Sequence, residues 1–496
     1  MRHIGVLVLT ALLSGCGLVG PDYERPPPAT PPTAAFKETD DSYFRPAIPR
    51  DAIDRGKWWS MYGDPALDQL AAQVDVSNQN LRIAEAAYRQ AVALVRQSQS
   101  ALYPTIGYSG SAQQQSGRTG SSTATVSLGG STAQFSVGGT LTWEIDVWGR
   151  IRRTIESDSA AAQASAADLM SARLSAQSTL ITNYFSLRIS DARKRVLEES
   201  VAAFGRALEI VRNQFNAGTV SRVDLAQAQT QYEQTRAQLV AEGVNRAQFE
   251  HAIAIQIGRA PAEVSVAVAP PPKDVPTVDA GLPSALLERR PDIASAERQM
   301  QAANAQIGVA VAAYYPDITL NAGLNFASTM LSTLFQLASM VWSVGPQLAG
   351  TAIDGGSRAA QVEGARANYD KTVATYRQTV LAAFQQVEDA LAQQRILEQQ
   401  EEVQRLALAA ARDAERLALN QYRAGTVPYT TVITTQTAAL QNELTVLAVR
   451  QSRLIASASL VTALGGGWRD VELPPPVPIG GLQTSKELHK KSWWPF

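Results

Sequence analysis

Only one residue in this chain carries the chemistry of covalent attachment. Cys16 is the single cysteine in 496 residues and follows Leu13-Ser14-Gly15. Upstream lie a basic Met1-Arg2-His3 and an apolar run, Ile4 to Leu13, too short to cross a bilayer. Small residues before a cysteine at the end of such a leader form the pattern that is cleaved at the cysteine's amino side and lipidated. Residues 1–15 then read as a lipoprotein signal peptide. The alternatives are an ordinary signal with an incidental cysteine, or an uncleaved anchor. Gly17 follows rather than Asp, which favours the outer over the inner membrane.

No other constellation points to bond-making. A lone cysteine leaves no disulfide framework and no cysteine metal site. His3, His251 and His489 are the only histidines, and none sits in a His-Glu-x-x-His or nucleophile-elbow context. His251 lies on an Ala-rich helical stretch, where packing or a wet lumen explains it. Gly465-Gly466-Gly467-Trp468 lacks the Lys-Ser/Thr of a phosphate loop and reads as a helix end; Gly355-Gly356-Ser357-Arg358 reads as a strand-to-helix turn. The expectation is no enzyme, no cofactor and no metal. A net charge of −1 argues against nucleic acid as a partner.

The elements around these residues are organised by a turn that occurs twice. Asn213-Gln214-Phe215-Asn216-Ala217-Gly218-Thr219-Val220 returns as Asn420-Gln421-Tyr422-Arg423-Ala424-Gly425-Thr426-Val427, 207 residues later. In each copy a long periodic segment runs into Ala-Gly-Thr-Val and another follows, so Gly218 and Gly425 mark helical hairpin tips. Tyr103-Pro104 recurs as Tyr315-Pro316 and Asp146 as Asp354. Self-similarity at this distance indicates an internal two-fold duplication.

Between Tyr-Pro and Asp the period changes. Phe135, Val137, Gly139, Leu141, Trp143 and Ile145 alternate with Ser136, Gly138, Thr140, Thr142 and Glu144; Ile318, Leu320, Ala322, Leu324 and Phe326 alternate with Thr319, Asn321, Gly323 and Asn325. This is the dyad pattern of a membrane β-strand, apolar outside and polar within. A transmembrane helix over Phe326 to Gly345 is the alternative, disfavoured by its Asn, Ser and Gly. The flanking helices are very long. Leu197, Val201, Phe204, Leu208, Val211 and Phe215, and likewise Tyr369, Val373, Tyr376, Val380, Phe384, Val387 and Leu391, step by four and three as packing stripes do. Each rod of about 66 residues would be roughly 100 Å long. The return limbs are half that length, and shorter helices before Tyr103 and Tyr315 would stack end to end with them.

The expected order is therefore a tether at 16–64, helices at 65–102, a β-hairpin at 103–149 and a long helical hairpin at 150–258. A linker at 259–282 leads to helices at 283–314, a β-hairpin at 315–356, a long helical hairpin at 357–465 and a tail at 466–496. Asp64 with Pro65 marks a helix start, and a break is expected near Ser77 to Gln79. The class is α+β. Four strands cannot close a membrane barrel, since the smallest have about eight, so several copies are needed; a trimer would supply twelve strands.

The Cys16 pattern, Trp58-Trp59 to Gly63-Asp64-Pro65, the paired Tyr-Pro strand starts, Trp143 to Arg150, both Ala-Gly-Thr-Val tips and Ala463 to Trp468 together resemble the outer-membrane factor (TolC-like) family of tripartite efflux pumps, in its lipoprotein branch. The resemblance covers essentially the whole mature chain. It implies a homotrimeric channel, with a twelve-stranded barrel among outer-membrane lipids and a helical barrel crossing the periplasm. Its tips, Ala217 to Val220 and Ala424 to Val427, would meet a periplasmic adaptor and a proton-driven inner-membrane pump. It further implies a gate at the tips in which Asp224 hydrogen-bonds Tyr422; alternatively, Asp224 caps the return helix and Tyr422 only packs. Where relatives carry an acidic constriction this chain has Thr431 and Thr434, and Val427 stands where some have arginine. A protein-secretion channel of the same build, or a non-conducting structural lipoprotein, are the remaining readings.

Overall fold

The computed structural model describes residues 18–27, 36–38, 55–116, 131–276, 278 and 290–466. Cys16, the leader, much of the tether and linker, the first strand loop and the tail from Gly467 lie outside the described residues. Two families of elements alternate: a four-stranded sheet at one end and helices that run away from it.

The sheet is assembled from two hairpins. Strand β1 is Thr105–Ser116, β2 Ser131–Glu144, β3 Asp317–Ser328 and β4 Met340–Ala349, antiparallel in the order β1-β2-β3-β4. Over Phe326 to Gly345 the chain forms strand, two short 3₁₀ turns and strand, so the helical alternative does not arise. Register aligns Ile106, Leu141, Ala322 and Val344 across all four strands, and Tyr108, Gly139, Leu324 and Trp342 likewise. Because side chains alternate along a strand, these rows share one face. The other carries Gly107, Thr140, Gly323 and Ser343, with Thr105, Thr142, Asn321 and Gly345 beside them. That second face bonds to itself: Ser111 Oγ meets Ser136 Oγ at 2.8 Å, and Asn321 donates to Gln347 at 3.1 Å. Nothing among the described residues covers the apolar face, where Tyr108 is 96% exposed and Trp342 67%.

Below the sheet, helices α1 (Pro65–Ser77), α2 (Gln79–Ser100), α3 (Arg150–Asn216), α4 (Arg222–Gln256), α5 (Pro291–Ala312), α6 (Ser357–Arg423) and α7 (Tyr429–Ala463) follow. Helices α3 and α6 have 67 residues each, α4 and α7 35, α2 and α5 22. The two halves thus match in length as well as in sequence. At about 1.5 Å per residue the long pair reach roughly 100 Å. Asp146 and Asp354 open them: Asp146 accepts from Ile151 N and Arg152 N, and Asp354 from Gly356 N and Arg358 N. A carboxylate here satisfies donors left bare at a helix start.

At mid-length the short and half-length helices meet end to end, and polar side chains close each joint. Asn78 caps α2 by accepting from Asn80 N and Leu81 N, while its amide donates to Gln256 O at the end of α4 at 2.7 Å. Orphan donors of one helix and orphan carbonyls of the next are satisfied together. In the second half Arg290, preceding α5, donates to Ala463 O at the end of α7 at 2.8 Å and is braced by Asp292 and Gln386. Around these joints a belt core packs Trp58, Trp59, Tyr62, Leu67, Leu180, Tyr184, Phe185, Ile253 and Leu454. Asp64 begins α1 as the sequence suggests, accepting from Ala66 N and Leu67 N, and takes a third bond from Tyr184 OH.

The described part of the tether is held against the rods rather than free. Leu18 lies on Gly149, and Gly20, at φ +96°, faces Gly308 so closely that a Cβ would come within 2.4 Å of its Cα. Buried Arg153 donates to Val19 O, Gly20 O and Asp22. Farther on, Phe36 packs on Val387 and Leu391, and Lys37 N and Glu38 N donate to Glu388.

Candidate functional site

The hairpin tips lie at the far end of the rods. In both, the helix closes on a left-handed glycine, Gly218 at φ +72° and Gly425 at φ +73°. Thr219 N donates to Gln214 O and Thr426 N to Gln421 O, each at 2.9 to 3.0 Å. These bonds satisfy carbonyls that a helix end leaves open. Ala217, Gly218, Thr219, Ala424, Gly425 and Thr426 are exposed, and Val220 and Val427 half-buried.

The two tips differ at the start of their return helices. Ser221 and Asp224 form a reciprocal capping box on α4, with Asp224 accepting from Ser221 N and Oγ and Ser221 Oγ from Asp224 N. Helix α7 starts at Pro428 with no side-chain cap. The Asp224–Tyr422 hydrogen bond implied by the resemblance is not the one the structure forms. Asp224 is engaged locally, the alternative raised above, and Tyr422 OH instead donates to Gln214 Oε1 at 2.6 Å. Ser-x-x-Asp is itself a capping-box pattern legible in sequence; Gln214 carried no such signal.

The Tyr422–Gln214 bond crosses between the hairpins, from α6 to α3. Around it Leu208, Val211, Ala228, Tyr429 and Val432 form a small core with contributions from all four tip helices. Burial raises the Tyr422 hydroxyl pKa above the ordinary phenol value and the nearby Asp224 charge raises it further, while the Gln214 bond opposes them. Burial, and then the neighbouring Tyr422, push Tyr429 up to about 12. Both phenols stay neutral across physiological pH, so Tyr422 keeps the proton it donates to Gln214. Of the two positions expected from the resemblance at a constriction, Thr434 is exposed and Thr431 half-buried.

At the sheet end an aromatic and charged collar marks the strand-to-helix transition. Trp143 Nε1 donates to Leu102 O, Trp148 Nε1 to Pro316 O, and Trp148 stacks on Tyr315 at 4.7 Å. Amphipathic rings at such a level suit a membrane–water boundary. Arg150 pairs with Glu144 and Arg152 with Asp146 just beyond it. Among the described residues no group of His, Cys, Asp or Glu is arranged to hold a metal ion.

Comparison with known proteins fits this geometry. The family profile described as outer membrane efflux protein matches residues 70–259 and 282–466. The chain is 30% identical over 476 residues to the toluene efflux pump outer membrane protein TtgC of Pseudomonas putida, covering 94% of this chain and 95% of that one. It is 29% identical over 466 residues to the probable outer membrane lipoprotein SilC of Salmonella typhimurium, covering 92% and 97%. Its fold superposes on the outer-membrane channel OprN with a TM-score of 0.78 at 29% identity, over 91% of this chain and 99% of that one.

Proposed function

The chain belongs to the outer membrane efflux protein family, and from that premise we propose that three copies assemble into one efflux conduit. Such a protein resides in the outer membrane, extends into the periplasm and is not an enzyme. The observation that carries the proposal is the sheet. It has one apolar and one polar face, and among the described residues neither is covered and the outer edges of β1 and β4 have no partner strand. In lipid every backbone donor must be bonded, so these edges pair with the next copies, and three chains close a twelve-stranded barrel. The apolar rows meet lipid and the Thr, Ser, Asn and Gly rows line water.

The helices continue the wall below the membrane, built by an ancestral duplication that left two hairpins per chain. Cys16 carries the lipid. The exposed tips, Ala217 to Val220 and Ala424 to Val427, receive a periplasmic adaptor, and an inner-membrane pump, proton-driven, supplies the energy. Closure at the tips rests on Tyr422 together with the tip core, and Asp224 supports it by capping α4. Cargo is small organic molecules such as drugs and solvents, or metal ions; the toluene pump relative favours solvents. Purified full-length protein in mild detergent should run as a trimer, show sheet signal beside helix, and conduct in planar bilayers. A monomer without conductance would sink the proposal.

A further inference from the structure

The loop that joins β3 to β4, at the end of the sheet farthest from the helices, is built inside out for a segment facing water. Met330, Leu331, Phe335 and Leu337 are between 58% and 83% exposed. The hydroxyls turn inward instead: Ser328 Oγ meets Thr333 Oγ1, Thr333 Oγ1 donates to Met330 O at 3.1 Å, and Ser339 Oγ donates to Thr333 O at 2.8 Å. Backbone donors close within two tight turns, Thr333 N on Met330 O and Ser339 N on Gln336 O among them. Within 330–339 only Ser332 and Gln336 keep exposed polar side chains, and from Ile318 to Ile353 there is no charge at all.

Phe335 fixes where the loop lies. Its ring packs on Phe326 with centroids 5.8 Å apart, and Phe326 continues the row of Ile318, Leu320, Ala322 and Leu324 on the apolar face of the sheet. The loop therefore folds back to the apolar side of the wall, touching its last row and leaving the rows beneath bare. The height of those rows leaves room for it. The eight steps from Ile318 to Phe326 span about 27 Å at ~3.4 Å each, or roughly 21 Å of rise at a tilt of about 40°, against a lipid-facing band about 25 Å tall. Met330, Leu331, Phe335 and Leu337 sit at the rim, where those few ångströms are missing.

Resting on the reading above that the apolar rows meet lipid, we propose that this loop is a lipid-binding rim. Its four apolar side chains dip into the acyl chains of the outer leaflet, and three such loops ring the assembled barrel. An exposed apolar patch of this kind marks a binding surface, and a loop whose backbone groups bond within itself avoids the cost of bare donors at the edge of hydrocarbon. With no lysine or arginine in the segment, the partner is the acyl chain and not the phosphate of a headgroup. A flap over the pore mouth would need the loop on the polar face, opposite to Phe326.

The test is a nitroxide label on the full-length protein in lipid vesicles, where oxygen collides with labels among acyl chains and a water-soluble nickel chelate with labels in water. Leu331→Cys and Leu337→Cys place one label in each turn; both side chains are exposed, so the replacements leave strand pairing intact. Wild type, with Cys16 as its only cysteine, gives the background. Leu324→Cys on the apolar rows and Thr140→Cys on the polar face are the references. Both loop labels should show an oxygen-to-nickel ratio close to that at Leu324 and well above that at Thr140. A nickel preference at either loop site, with Leu324 still in lipid, overturns the proposal and leaves the conduit standing. So does spin–spin broadening between copies, which would gather the three loops over the pore. A Leu324 label that favours nickel removes the lipid-facing sheet and this proposal together.

Discussion

At the level of single residues the tip depends on a neutral hydrogen bond, not an ionic one. Tyr422→Phe and Gln214→Leu each remove the same Tyr422–Gln214 contact, worth about 1 kcal/mol, or roughly a fivefold shift in the closed-to-open ratio. Each should raise mean single-channel conductance, and the double variant should add little to either. Additive effects would show that the two residues act apart. Asp224→Ala has a different signature: it should loosen the first turn of α4 by about 1 kcal/mol, seen as faster amide exchange over 222–225, with any rise in conductance following from that fraying. Deep in the wall, Glu401 is 2% exposed among Arg405, Arg450 and Arg453. Burial alone would raise its pKa, but hydrogen bonds from Arg453 and Arg405 more than offset that and hold it below the ordinary value. A depressed folded pKa contributes stability that is full above the unfolded value of about 4.3 and is lost as pH falls through the folded one. Thermal melts should therefore weaken in acid, and Glu401→Gln should flatten that slope; an unchanged slope would show the pairing is energetically idle.

At the level of elements the two glycine types separate cleanly. Gly425 has a left-handed φ with open space around it, whereas a Cβ on Gly258, at φ +67°, would lie 2.0 Å from Ser77 O. Gly425→Ala should cost about 1 kcal/mol. Gly258→Ala must also push α1 off the end of α4, so its melting temperature should fall clearly further. Similar losses for both would mean the joint is slack. Much at this scale was legible. Both tips, the strand alternation, the break at Asn78 and the helix start at Asp64 follow from local chemistry: left-handed glycine, period two, side-chain caps. What could not be read were partners distant in sequence. Asn78 meets Gln256 across 178 residues and Tyr422 meets Gln214 across 208, and no periodicity encodes such pairs. The family resemblance supplied Asp224 for Tyr422, and local capping competed for that carboxylate and won.

For the whole molecule, the uncovered sheet sets the strongest expectation. A charge placed on the apolar rows, as in Leu324→Arg, should cost about 2–4 kcal/mol if that row lies at the bilayer midplane and should reduce the trimer recovered from membranes. Thr140→Arg on the opposite face should be tolerated and should alter conductance instead. Equal tolerance of both would mean that the sheet does not divide lipid from water.

The mid-length joints also bear on how force travels. A helix held by its own hydrogen-bond ladder resists pulling along its axis, but at Asn78 the ladder is interrupted and only two neutral groups, the Asn78 amide and the Ser77 hydroxyl, span the gap to α4. Compression simply seats one rod on the next, whereas tension applied at a tip by a moving partner would open that seam before any helix unwound. The corresponding seam in the second half is riveted by a guanidinium with three partners, so the first hairpin is the more compliant arm and the second the stiffer strut.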